Sequence, residues 1–176
     1  WREMVNRSAL AMKLLTSRKH GAILAAATFG LPESVGGERN WDYRYTWIRD
    51  ASFTVYAFMR LGFVDEANAY MRWLRGRVSD CRGHAMKLNI LYGIDGRQEL
   101  PEIELTHLSG HGGATPVRIG NLAYAQVQLD IFGELMDAVY LVNKYGEAIS
   151  HEGWKHTVEV VDQVCETWQQ GDVGIW

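Results

Sequence analysis

Apolar positions along the chain fall into two kinds of run. About residues 2–17 carry Val5, Ala9 and Met12 on one face at helical spacing. About residues 51–61 differ: Val55, Phe58, Met59 and Gly62 share a stripe, but Phe53, Tyr56 and Ala57 fill other faces. A helix apolar nearly all round belongs to an interior. About residues 64–79 are amphipathic again, with Ala67, Tyr70, Met71, Leu74 and Val78 on one face and Glu66, Arg72 and Arg75 off it. A fourth helix is predicted over about 121–144, with Leu122, Ala125, Leu129, Phe132, Met136 and Val139 in register. The fifth, about 151–169, has Ser150 as a candidate cap. Its Trp154, Val158, Val161, Cys165 and Trp168 form a narrow stripe expected to pack on one neighbour.

The spans between are unequal. His20 to Thr46 is broken by Gly21, Gly30, Pro32, Gly36 and Gly37 and reads as a long loop. Such loops are usually functional or disordered, and this one is too aromatic at its far end for disorder. Residues 80–120 are irregular. LNILYGIDGRQEL predicts a short β-hairpin with a type I′ turn at Asp95-Gly96, and glycine-rich HLSGHGGATPVRIGN follows. Interior-type helices follow the long loops, and amphipathic ones follow the short turns. Two concentric helix layers, with the long loops gathered at one end, account for that rhythm. A plain antiparallel bundle would not need such loops.

NWDYRYTWIRDAS, at residues 40–52, joins a loop to an interior helix. Trp41, Tyr43, Tyr45 and Trp47 alternate, so the segment is extended. Asp50 stands where an N-cap belongs, with Arg49 as its surface neighbour. The other reading turns both side chains into a cleft with the aromatics. Guanidinium donors and carboxylate acceptors suit two neighbouring hydroxyls of a sugar, and one carboxylate has oxygens enough for both roles. Arg118, before the predicted fourth helix, occupies the same slot as Arg49.

Composition supports a carbohydrate ligand. Seven Trp and eight Tyr are many for 176 residues. Their rings suit the flat apolar face of a pyranose, and their polar tips want partners. A net charge of −3 argues against nucleic acid. No segment has the length and apolarity of a membrane span. Cys81 and Cys165 are expected to be buried thiols in a reducing, cytoplasmic setting. His107 and His111 are interrupted by glycines that exclude a helix, so no metal or other cofactor is expected. No Ser/His/Asp arrangement stands out. Among Glu33, Glu38, Asp42, Asp95, Glu99, Glu102 and Glu104, spacing alone does not single out an acid/base pair.

GGERNWDYRYTWIRDASFTVYAFMRLGFVDEANAYMRWL resembles the signature of the glucoamylase-type glycoside hydrolases, family 15. That family's bacterial branch includes glucodextranase-like and trehalase members. The resemblance continues through SGHGGATPVRIGNLAYAQVQLDIFGELMDAVY into GDVGIW and covers nearly the whole chain. It implies an all-α fold, a partial (α/α)6 toroid holding about five of the family's twelve helices. Residues 1–176 would then be part of one catalytic domain. Tyr43, Trp47, Arg49 and Asp50 would line the subsite for the non-reducing-end glucose, with Arg118 and Trp176 as further substrate contacts. The family inverts: an acid protonates the glycosidic oxygen, and a carboxylate about 6.5–9.5 Å away activates water.

The general acid is expected directly after Trp176, and the base further on. The chain, which starts at Trp1, is therefore expected to be an inactive fragment of an α-glucoside hydrolase. Trehalose, maltooligosaccharides and isomaltose-type sugars all stay open as substrates. Gly113 and Ala114 stand where fungal members carry a Trp, which puts longer maltodextrins in doubt. The alternative is a non-catalytic sugar-binding or scaffold protein on the same toroid. A terpene-cyclase toroid would need Asp clusters that the sequence lacks. Exposed inner faces of helices two and four would favour self-association.

Overall fold

The structure is a computed structural model and describes residues 1–81 and 88–174. Five helices carry it: α1 (Arg2–Leu14), α2 (Ile48–Leu61), α3 (Val64–Asp80), α4 (Asp130–Tyr145) and α5 (His151–Thr167). Short strands complete three two-stranded antiparallel pairs: β1 (Phe29–Pro32) with β2 (Asn40–Asp42), β3 (Thr46–Trp47) with β4 (Leu91–Tyr92), and β5 (Ile103–Glu104) with β6 (Arg118–Ile119). Among the described residues, no helix is long and apolar enough to cross a membrane.

The core lies between α2, α3 and α4. Ile48, Ala51, Val55 and Phe58 of α2 meet Ala67, Tyr70 and Leu74 of α3, and Ile131, Leu135, Ala138 and Val142 of α4. The turn from α2 to α3 follows from two residues. Gly62 takes φ 84, the left-handed conformation that glycine adopts without a Cβ penalty. The Gly62 amide donates to the Met59 carbonyl, and the Phe63 amide to the Phe58 carbonyl. The Phe58 and Phe63 rings then meet edge to face at 5.9 Å. This is a Schellman ending with its hydrophobic contact, and it fixes α3 against α2. Phe53 and Tyr56 on α2 and Tyr140 on α4 remain exposed, as expected for faces that look away from this core.

Four expectations need correction. The fourth helix begins at Asp130, since 121–129 contains a single 3-10 turn, Leu122–Ala125, capped by the Asn121 side chain. Leu122 and Ala125 imitate helical spacing without belonging to the helix. The α5 stripe Trp154, Val158, Val161 and Trp168 is exposed. Helix α5 instead turns Val160 and Val164 to the core. Of the two cysteines, Cys81 is buried and Cys165 is exposed. The Asp95-Gly96 turn is not type I′, which needs two central residues with positive φ. Here only Gly96 has one. Gly96 donates to Gly93 and Gly93 to Arg97, a type I turn closed by a left-handed glycine.

Candidate functional site

The long loop is an ordered frame. Ala25 and Ala26 amides donate to Tyr45 and Tyr43 carbonyls, and the Tyr43 amide donates back to Thr28. The alternation in NWDYRYTW produces an unusual strand: Asn40 and Asp42 are fully buried, while Trp41 and Tyr43 are half-buried. The aromatics therefore form a wall and the polar residues an anchor. Trp41, Tyr43 and Trp47 line a cleft of about 650 Å³, rimmed by Glu33, Arg39, Glu102 and Asn121. The Tyr43 and Trp47 rings lie 5.8 Å apart, tilted by 39°. Burial first, and then the Glu33 charge, push the Tyr43 hydroxyl above its ordinary pKa. It stays protonated and able to donate.

Asp42 is the anchor. Its carboxylate accepts from Arg44 Nε and Nη2, both at 2.8 Å, from the Arg44 amide at 3.1 Å and from the Gly120 amide at 3.3 Å. Its carbonyl accepts from Asn121 Nδ2 at 3.2 Å. Burial pushes this carboxyl up, but Arg44's hydrogen bonds and charge, with the Gly120 amide, outweigh it and hold the pKa below its ordinary value. Gly120 cannot be replaced here: at φ 84, a Cβ would stand 1.9 Å from the Pro101 carbonyl oxygen. Strand β2 and the 118–125 segment are thus pinned together beneath the cleft.

Arg49 and Asp50 stand together in the first turn of α2, Nη2 to Oδ2 at 3.5 Å. Asp50 is not the N-cap. Trp47 occupies that position, and the Ile48 amide is satisfied by the Ile90 carbonyl at 3.0 Å, so the helix starts without a side-chain cap. Asp50 is free to turn outward and is half-exposed in a hollow of about 290 Å³ beside Phe53 and Ala25. Its charge reaches the Tyr43 hydroxyl. Arg49 is 13% exposed and also donates to Asp130 Oδ2 at 3.0 Å and to Gln128 Oε1 at 3.1 Å.

Arg118 does not share the slot of Arg49. It lies on β6, well before α4, and pairs with Glu102 at 3.6 Å. Glu102 lines the cleft and accepts from the Leu122 amide at 3.3 Å. Trp176 lies outside the described residues.

A model of the family described as "Glycosyl hydrolases family 15" matches residues 1–176. The chain belongs to that family. Family 15 relatives include a protein named trehalase from Mycolicibacterium smegmatis, 43% identical over the whole chain, which covers 26% of that protein. Another, from Thermoplasma acidophilum, is 37% identical over the whole chain, which covers 29% of it. The chain therefore spans between a quarter and a third of these curated relatives. Among solved structures, a glycosidase variant matches with a TM-score of 0.62 at 23% identity, over 99% of this chain and 43% of that one. A glycosidase variant in complex with glucose matches at 0.57 and 23%, over 95% and 41%. The likeness shows the fold: this family 15 chain is a part of a helical (α/α)6 toroid.

Asp42, Glu102, Gln128 and Asp130 were not singled out by sequence reasoning for this candidate site. For Asp130 a signal existed, an acidic residue opening an apolar run, which marks a first helical turn. Asp42 gave none. A carboxylate two residues from an arginine looks like a surface pair, and its second partner, the Gly120 amide, lies far along the chain.

Proposed function

We propose that the protein containing this chain is an inverting glycoside hydrolase that releases glucose from an α-glucoside, with trehalose as the favoured substrate. The chain's contribution is one wall of the glucose subsite. The observation that carries this is the Arg49–Asp50 pair just past Trp47, with Asp50 half-exposed in a hollow of its own and its charge reaching Tyr43 of the aromatic cleft. Asp50 accepts from one sugar hydroxyl, and the free edge of the Arg49 guanidinium donates to its neighbour. The Tyr43 and Trp47 edges cover the apolar face of the ring. Arg118 acts through Glu102, which it holds at the cleft rim, and Trp176 enters only as the substrate contact that the resemblance implies. Trehalose is favoured because relatives 37% and 43% identical carry the name trehalase.

The catalytic carboxylates are not assigned to any residue of this chain. An inverting pair must stand about 6.5–9.5 Å apart to admit the attacking water. The resemblance puts its acid directly after Trp176, so residues 1–176 alone are expected to be inactive. The test is proton NMR of trehalose incubated with the full-length protein. Inversion releases one β-glucose and one α-glucose per trehalose at early times. Release of α-glucose only would overturn inversion, and glucose binding without turnover would favour the sugar-binding alternative.

A further inference from the structure

We propose that Asp130 and Gln128 are positioning residues for Arg49, and that Asp172 fixes the stretch that carries them. This rests on Arg49 being a sugar-hydroxyl donor. An arginine offers five donors on a long, freely rotating stem. Ordering such a side chain only when a ligand arrives weakens binding, whereas one already ordered loses little. Arg49 is already ordered. Asp130 Oδ2 and Gln128 Oε1 take its Nη1 at 3.0 and 3.1 Å, and Asp50 faces its Nη2 at 3.5 Å.

The electrostatics fit the same role. A guanidinium in the first turn of α2 lies at the positive end of that helix, an unfavourable place for a cation. The carboxylates of Asp50, in the same turn, and Asp130, in the first turn of α4, offset this. Each acid also lies where its own helix favours negative charge.

The stretch 127–130 is held from another side by its main chain. The Val173 amide donates to the Val127 carbonyl at 3.1 Å, and the Leu129 amide donates to Asp172 Oδ2 at 3.0 Å. Asp172 Oδ1 accepts from the Gly174 amide at 3.1 Å, so this carboxylate ties its own loop to the entrance of α4. Backbone groups of 127 and 129 hold residues 172–173, while side chains of 128 and 130 hold Arg49. A shift of one contact moves the other.

The experiment is a double-mutant cycle in the full-length protein, read by calorimetric titration with D-glucose. Asp130→Ala is expected to weaken glucose binding about tenfold in the native background. In the Arg49→Ala background it is expected to change binding by less than about twofold, because its effect passes through Arg49. Asp172→Asn is expected to give about a threefold weakening that likewise disappears when Arg49 is absent. Equal losses in both backgrounds, or no loss from Asp130→Ala while Arg49→Ala weakens binding, would overturn the positioning role and leave the site assignment standing. Unchanged binding in Arg49→Ala would overturn both. Should Asp130→Ala not fold, Asp130→Asn keeps the volume and an acceptor, and the same cycle decides with a smaller effect.

Discussion

The helical layer and the loop layer are held together by opposite means. Between α2, α3 and α4 the buried side chains are apolar apart from Ser52 and Asn68, with Val55, Phe58, Leu74 and Ile131 excluded from water. Stability there follows volume and area, and no single contact is decisive. Under the cleft, the fully buried side chains include Asn40, Asp42 and Thr46. The loops bury apolar side chains too, Ile90, Leu91 and Leu100 among them, but around β2 direction is added to area: Asp42 fixes two segments by aimed hydrogen bonds. An apolar core fixes packing and tolerates small rearrangements. A charged anchor fixes orientation, which a wall of rings proposed to face a sugar requires.

The largest expected effect separates the site from both layers. Asp50→Ala in the full-length protein should lower trehalose turnover by about a thousandfold or more, because a charged hydrogen bond and its alignment are both lost. Thermal denaturation should move little. Asp50 is not a cap, and its removal costs about 1 kcal/mol or less through the helix dipole. Glucose release under steady state, beside a melting curve, checks both halves.

The next two predictions contrast the layers. Phe58→Ala should destabilise by about 3–5 kcal/mol through the cavity it leaves, and Leu135→Met, which preserves volume, by less than about 1.5 kcal/mol. In the loop layer, preserved volume should give no such tolerance. Asp42→Asn has nearly the same shape, yet it should cost about 2 kcal/mol, since a half-exposed Arg44 loses its charged acceptor and the buried amide must find new partners. Denaturant titrations of the three variants measure the difference. A cost for Asp42→Asn no greater than that of Leu135→Met would remove the distinction between the layers.

Acid sharpens the same contrast with a smaller effect. The folded-state pKa of Asp42 lies below its ordinary 3.8, so its contribution is fully present above that value. It disappears as pH falls through the lowered folded value. The apolar core carries no matching dependence. The Gly120 amide should therefore lose its protection against hydrogen exchange, relative to its intrinsic rate, at low pH before the amides of α2 and α4 do.

These contrasts also explain what sequence could reveal. The helices announce themselves through apolar stripes, and α2 and α3 appear close to their expected bounds. Where periodicity misled, another structure had imitated it, as the Leu122–Ala125 turn did before α4. At α5 the apolar stripe exists but faces water, because spacing does not say which face meets a neighbour. Arg49 and Asp50 stood out because charge beside alternating rings is conspicuous. The roles of Asp42, Gln128 and Asp130 depend on partners about eighty positions away. No local pattern encodes such distances.

A crystal structure of the full-length protein with bound glucose tests the central claim most directly. The account predicts a glucose whose neighbouring hydroxyls lie within hydrogen-bonding distance of Asp50 and Arg49, with its ring against Tyr43 and Trp47. Arg49 should keep its contacts to Asp130 and Gln128. Glucose bound elsewhere, with Arg49 and Asp50 untouched, would contradict it.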